Sequence, residues 1–273
     1  NYKRETDMFT DVSSEQIDEY RRDGVLVIEN FLDGDELDVW RKNVEDAIEQ
    51  RQDRKLADGS MRSGDSFYDR VFTQRINLWE DHSGMRELIL DKRIGKIAAD
   101  LAGVDGIRVW HDQALVKEPW ANPTAWHLDN PYWSFSSKNA ISIWIALDDA
   151  TLSNGCLYFL PGTHDEATFE NAGITQEMAD LFKVYPEWVN RNPLPGPMRA
   201  GDCSFHNGLT AHGAGANMTP YRRRAMTCAF MPDGSTFNGQ KNVLPDSYIE
   251  TLSIGQVLRN DDLNPLIYKH GNE

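Results

Sequence analysis

The sequence predicts a mainly β protein with flanking helices, and three observations carry that prediction. Apolar residues recur at helical spacing only up to about residue 102. From Ile107 onward the period changes: Ser142, Trp144 and Ala146 alternate with Ile141, Ile143, Ile145 and Leu147, as they do in a strand with one aliphatic face. The chain of 273 residues contains no Gly/Ser- or Pro-rich linker. It is therefore expected to form one domain, 1–273, in which a helical layer over about 13–102 precedes a β-barrel core over about 107–232.

The elements follow in order. Ser13 and Gln16 stand three apart, so each side chain can satisfy the other's backbone N–H, opening a helix that runs to Arg22 and stops at Asp23-Gly24. Val25-Leu26-Val27-Ile28 is β-branched and apolar enough for a strand. Asp33-Gly34-Asp35 opens a longer helix to about Gln52, with Leu37, Trp40, Val44, Ala47 and Ile48 on one face. Residues 53–66 are polar, carry Gly59 and Gly64, and are expected to form a mobile loop. A third helix is expected over 84–102, where Leu88, Ile89, Ile94, Ile97, Ala98 and Leu101 share a stripe. Strands dominate after that, interrupted by an irregular insertion over about 166–197 with a short helix near 176–184, expected to border a pocket mouth. No internal repeat is evident.

Composition removes several function classes. Lys and Arg number 28 against 43 Asp and Glu, a net charge of −15, which repels a phosphate backbone and argues against nucleic acid as a partner. No apolar run approaches the roughly 18 residues that span a bilayer, and the polar start Asn1-Tyr2-Lys3-Arg4-Glu5 leads into no signal-peptide core. A cytoplasmic protein with no membrane partner is expected, as a monomer or homodimer. Cys156, Cys203 and Cys228 all fall in expected strands and form no CxxC pair, so reduced, buried thiols are expected rather than disulfides or a structural zinc site.

The chemistry is concentrated in Trp126-His127-Leu128-Asp129. In a strand, residues i and i+2 project to one side, so His127 and Asp129 present an imidazole and a carboxylate to the same point. His212 is the candidate third ligand, and two His plus one carboxylate with open positions is the ligand set of non-haem Fe(II) oxygenases. If 209–214 and 223–231 form a hairpin about a turn at 215–220, His212 and Arg223 fall nearly opposite each other. The guanidinium fork would then hold a carboxylate whose other end chelates the metal. Strand alternation turns Arg223, Ala225 and Thr227 inward and Arg222 and Arg224 outward, so only one of the three arginines is a candidate.

Trp126-His127-Leu128-Asp129, then Trp144 through Ala150, then Asn154-Gly155-Cys156 running on to Pro161-Gly162-Thr163-His164, closely resemble the signature of the phytanoyl-CoA dioxygenase family. Gly201-Asp202, His212 through Asn217, and Arg223-Arg224-Ala225 extend the resemblance over about 107–232, and 17–31 resembles the family's N-terminal helix and strand. The resemblance implies a double-stranded β-helix, that is, a jelly-roll, cupin-like barrel. It implies Fe(II) as cofactor, 2-oxoglutarate and O2 as co-substrates, and oxidation of an aliphatic C–H with release of succinate and CO2. By the same resemblance Gln113 and Trp144 line the 2-oxoglutarate site, and Arg75 is a candidate for an upstream cation that helps hold it. Ala214 stands where relatives often carry a hydroxyl, which removes one hydrogen bond to the co-substrate. Halogenating relatives have a small residue in place of the carboxylate; with Asp129 present, hydroxylation or a related oxidation is favoured.

Tyr132, Trp133 and Phe135 follow the HxD pair and are candidates for contact with a small-molecule substrate or for barrel packing. His206 has the parity of His212, although Gly208 intervenes, and is a candidate for a place beside the ligands or facing substrate. The other histidines, His82, His111, His164 and His270, are expected at the surface or in structural hydrogen bonds. The strong negative charge disfavours a polyanionic CoA ester, and a medium-sized metabolite is expected. Two rivals stand beside this assignment: a cupin-type metalloenzyme that uses no keto acid, which would have no need of Arg223, and a non-catalytic small-molecule binding protein.

Overall fold

The computed structural model describes residues 9, 11–62, 69 and 71–271. The Ser13 hydroxyl accepts the Gln16 N–H at 3.3 Å while the Gln16 amide oxygen accepts the Ser13 N–H at 2.9 Å. Helix α1 (Ser14–Asp23) follows and ends at Gly24, whose φ of 73° lies in the left-handed region that glycine reaches without a Cβ penalty. After β1 (Val25–Ile28), Asp33 and Glu36 repeat the reciprocal cap to start α2 (Gly34–Arg51). The buried Arg51 at its end donates to the carbonyls of Lys55, Ile76 and Asn77 and to the Asp81 carboxylate, pinning the polar stretch beyond it. Residues 53–62 of the expected loop form turns tied by an Arg54–Arg62 bridge, with Lys55 buried on Asp69 at 2.5 Å, whereas 63–66 lie outside the described residues.

Strand β2 (Thr73–Ile76) was not expected, because four residues are too few to display a period. Helices α3 (Leu78–Asp81), α4 (Ser83–Ile89) and α5 (Lys92–Ala102) come next, so the single helix expected over 84–102 is divided. The division falls at Leu90-Asp91, where the Asp91 carboxylate accepts the Arg93 N–H at 2.8 Å and caps a new start. The apolar stripe survives, since Ile89, Ile94, Ile97, Ala98 and Leu101 all enter one core.

The remaining strands are β3 (Gly106–Lys117), β4 (Thr124–His127), β5 (Ile141–Ala146) and β6 (Leu157–Phe159). Past the short helices α6 (Thr163–Glu166) and α7 (Leu181–Val184) come β7 (Leu194–Gly196), β8 (Cys203–Asn207), β9 (His212–Ala214) and β10 (Arg223–Pro232). Helix α8 (Asp246–Ile249) and β11 (Leu266–Lys269) complete the described elements. The insertion thus has a shorter helix than expected and ends in a strand. Cys156 lies one residue before β6 rather than in it, and all three cysteines are buried and free.

All pairings are antiparallel. A seven-stranded sheet runs β1-β8-β5-β10-β3-β11, with β2 also on β3, and a four-stranded sheet runs β4-β9-β6-β7. From β3 to β10 the chain shuttles between the two sheets, which is the winding of a double-stranded β-helix. Strands β1, β2 and β11 widen the larger sheet from outside 107–232.

The outer face of the larger sheet carries Ile141, Ile143, Ile145 and Leu147 against Trp40, Ile94 and Ile97 of the helical layer. Each such aliphatic side chain contributes about 1.5–3 kcal/mol on burial. The inner face is graded along the strands. His111, Ala229, Ser142 and His206 form one cross-strand row, Gln113, Thr227, Trp144 and Ser204 the next, and Lys117 with Arg223 lie at the far end. Among the described residues no helix is long and apolar enough to cross a membrane.

Candidate metal and co-substrate site

His127 and His212 are ladder partners in the β4–β9 pair, and their rings stand 4.2 Å apart. Asp129 follows β4 in αR backbone geometry (φ −79°, ψ −52°) rather than in a continuing strand, yet its carboxylate reaches the same point. Its Oδ1 lies 3.4 Å from His127 Nε2 and 3.7 Å from His212 Nε2. The Nδ1 atoms of His127 and His212 face the carbonyls of Ala125 and Thr210 at 2.8 and 2.9 Å. A carbonyl only accepts, so each Nδ1 carries the proton and each Nε2 offers a lone pair.

This donor set fits a divalent ion: two imidazole nitrogens and a carboxylate oxygen converge within 4.8 Å of one another. Protonation states agree. Burial opposes ionisation of Asp129, but the imidazoles of His212, His127 and His206 outweigh it and hold the carboxyl well below the usual range. Burial, aided by His127, pushes His212 down to about 3, so the ring is neutral at ordinary pH.

These residues line one cavity. Arg223, only 1 % exposed, borders the same cavity, its Cζ 5.1 Å from the Trp144 ring centre and 5.8 Å from that of Phe72. The hairpin expected to bring it there does not form. β9 belongs to the smaller sheet and β10 to the larger, the ladder partner of Arg223 is Lys117, and 215–222 cross between the sheets. His212 and Arg223 therefore face each other across the sandwich. Alternation along β10 holds: Thr227 and Ala229 also line the cavity, while Arg222 and Arg224 pair outside with Glu45 and Asp148.

Gln113 and Trp144 line the cavity, and the Gln113 side-chain Oε1 accepts from Gln74 Nε2 at 2.5 Å. Arg75 does not. Its ladder partner is Ala114, which faces the helical layer, and its guanidinium donates to the carbonyls of Gln74 and Gln52. A one-residue offset from Gln74 puts it on the wrong side of the sheet for the co-substrate.

His206 lines the cavity, its Nε2 3.5 Å from Asp129 Oδ2, although it reaches this place from the larger sheet and not along one strand with His212. Trp133 also lines the cavity. Phe135 is fully buried against Trp110, Met231 and Phe237, and the Tyr132 hydroxyl donates to the Ala172 carbonyl at 2.8 Å; neither borders the cavity.

His111 was expected at the surface or in structural hydrogen bonds, yet it lines the cavity beside Trp133, and burial holds it neutral by pulling it down to about 4. The alternation His111, Gln113, Leu115, Lys117 along β3 was the signal that could have placed it. His164, by contrast, is structural, its Nε2 3.1 Å from the Arg21 carbonyl.

The phytanoyl-CoA dioxygenase family model matches residues 20–225. The chain belongs to that family. It is an oxygenase with iron as cofactor and 2-oxoglutarate and O2 as co-substrates. A methylphosphonate hydroxylase of Gimesia maris is 28% identical over 222 residues, 80% of each chain. The dioxygenase lolE1 of Epichloe uncinata is 32% identical over 150 residues, 55% of each chain. Among solved structures, the non-heme alpha ketoglutarate dependent carbocyclase SnoK from nogalamycin biosynthesis superposes with a TM-score of 0.78 at 28% identity, covering 96% of this chain and 100% of that one.

Proposed function

We propose that this enzyme hydroxylates, or otherwise oxidises, an aliphatic C–H bond of a small to medium-sized metabolite, with His127, Asp129 and His212 as iron ligands and Arg223 as anchor for the distal carboxylate of 2-oxoglutarate. The observation that carries this is the pairing within one cavity of a three-residue ligand cluster and a buried arginine. Iron(II) bound there supplies the oxidising power when 2-oxoglutarate is decarboxylated with O2.

The chain's own residues do the rest. The carbonyls of Ala125 and Thr210 fix the histidine tautomers, so both Nε2 atoms stay available. Ser142 Oγ and His206 Nε2 each stand 3.5 Å from Asp129 Oδ2, leaving Oδ1 turned to the histidines. Trp144 and Phe72 orient the Arg223 guanidinium, and with Leu157 they reduce water at the co-substrate end. Asp129 is present, so no ligand position is vacated for halide. An uncharged group of the substrate would meet His111, Trp133 and Ser142.

The likeness to a carbocyclase over nearly its whole length supports a second outcome at the same site, ring closure after C–H cleavage. Anaerobic titration with Fe(II) and then 2-oxoglutarate tests the assignment through the weak visible charge-transfer band of the chelate. Absence of that band, with the protein folded, would refute it. Product mass then separates the outcomes: gain of one oxygen for hydroxylation, loss of two hydrogens for ring closure.

A further inference from the structure

Lys117, the last residue of β3, has no part in the chemistry above. It is the ladder partner of Arg223 and fully buried. Its Nζ donates to the Gly215 carbonyl at 2.6 Å and the Asn122 carbonyl at 3.1 Å. It also stands 4.8 Å from the centre of the Phe72 ring, the ring that Arg223 approaches.

The two carbonyls are significant. Asn122 lies in the link from β3 to β4, which carries His127, and Gly215 lies in the crossover from β9, which carries His212, to Arg223 at the start of β10. Asn217 joins the same knot, its amide donating to the carbonyls of Glu118 and Tyr221 at 2.9 and 2.7 Å. The packing is tight: a Cβ on Gly155 would stand 2.7 Å from both Lys117 Cδ and the Gly215 carbonyl. Burial and the neighbouring Arg223 lower the Lys117 ammonium to about 7, a cost that a purely structural tie could avoid with a neutral donor.

We propose that Lys117 is a positioning residue for the co-substrate: by tying both connections together behind Arg223 it sets the distance between the metal ligands and the guanidinium, and so the length of keto acid the site accepts. This rests on Arg223 holding the distal carboxylate.

The test uses the full chain loaded anaerobically with Mn(II), comparing Lys117→Met and Lys117→Gln with the parent. Mn(II) affinity is measured alone, then the affinities for 2-oxoglutarate, the one-carbon-longer 2-oxoadipate and the one-carbon-shorter oxaloacetate. Metal affinity is expected to hold, 2-oxoglutarate to bind about tenfold more weakly, and its preference over 2-oxoadipate to shrink by a similar factor. Unchanged affinity and preference would overturn the proposal, and so would a parallel fall in metal and keto-acid binding, the mark of a general structural tie. Arg223→Ala separates the two levels: if it leaves 2-oxoglutarate affinity intact, the co-substrate assignment itself fails; if it weakens binding while the Lys117 variants are silent, only the role of Lys117 fails. Should neither variant fold, hydrogen exchange on the Mn(II)-loaded parent decides. Added 2-oxoglutarate should slow exchange across 118–122 and 215–218, and no change there overturns the proposal.

Discussion

Replacing Arg223 by lysine keeps the charge and removes the fork, which makes it the sharpest perturbation of the co-substrate site. Arg223 is 1 % exposed with its Cζ 5.1 Å from the Trp144 ring centre and 5.8 Å from that of Phe72, and a lysine ammonium cannot reproduce the planar fork there. Losing one charge-assisted hydrogen bond to a carboxylate costs about 1.5–3 kcal/mol. At about 1.4 kcal/mol per factor of ten, the dissociation constant for 2-oxoglutarate should rise about ten- to a hundredfold. Anaerobic titration of the Fe(II) protein, followed through the chelate's visible band, reads this directly, and Fe(II) affinity should hardly change. Arg222→Lys and Arg224→Lys are internal controls, because those side chains pair with Glu45 and Asp148 on the outer face. Equal effects from all three substitutions would refute the reasoning and point to a diffuse basic surface.

Asp129→Ala should abolish turnover and weaken metal retention, whereas His164→Ala, which loses contacts to the Arg21 carbonyl and Asp165, should leave Fe(II) binding intact; equilibrium dialysis of both variants checks this. Lys117 gives a pH signature: burial lets the folded protein release its proton near 7 while the unfolded chain keeps it to the ordinary lysine value of 10.5, so between those values the folded state binds fewer protons and this residue's contribution to stability rises with pH. The urea-midpoint difference between the parent and Lys117→Met should therefore shift in the parent's favour from pH 7 to pH 9.5, by up to about 1.4 kcal/mol per unit, and a flat difference would contradict it. Asn217→Ala leaves backbone carbonyls at Glu118 and Tyr221 without their side-chain donor and should destabilise the protein by about 1–3 kcal/mol in urea unfolding.

The capping boxes at Ser13 and Asp33, the aliphatic face of β5 and the inward parity of β10 were all legible, because each depends on residues close together in the chain. The three residues of the candidate metal cluster and Arg223 were legible as residue types in a motif. How they meet was not. Whether 209–214 pairs with 223–231 or with a strand 85 positions upstream is decided by long-range topology, and local turn chemistry favoured the hairpin that does not form. Arg75 failed for a related reason: a strand of four residues shows no period from which to read a face, and one residue of offset exchanged it with Gln74. His111 was missed because a single histidine in an apolar strand is ordinarily a satisfied core residue; only the cross-strand row with Ala229, Ser142 and His206 shows where it faces.

The pairing of His127 with His212 in one ladder means that the spacing of the two proposed iron ligands is inherited from interstrand distance, about 4.5–5.5 Å between Cα atoms, and not from the chain between them. Everything from β5 to β8 could lengthen, shorten or change sequence at its loops without altering that spacing, provided β4 and β9 stay in register. The insertion between β6 and β8, expected to border the pocket mouth, supplies none of the residues that line the cavity, so it can vary while the spacing of the two histidines stays constant. Grafting that insertion from a relative should leave iron affinity where it was.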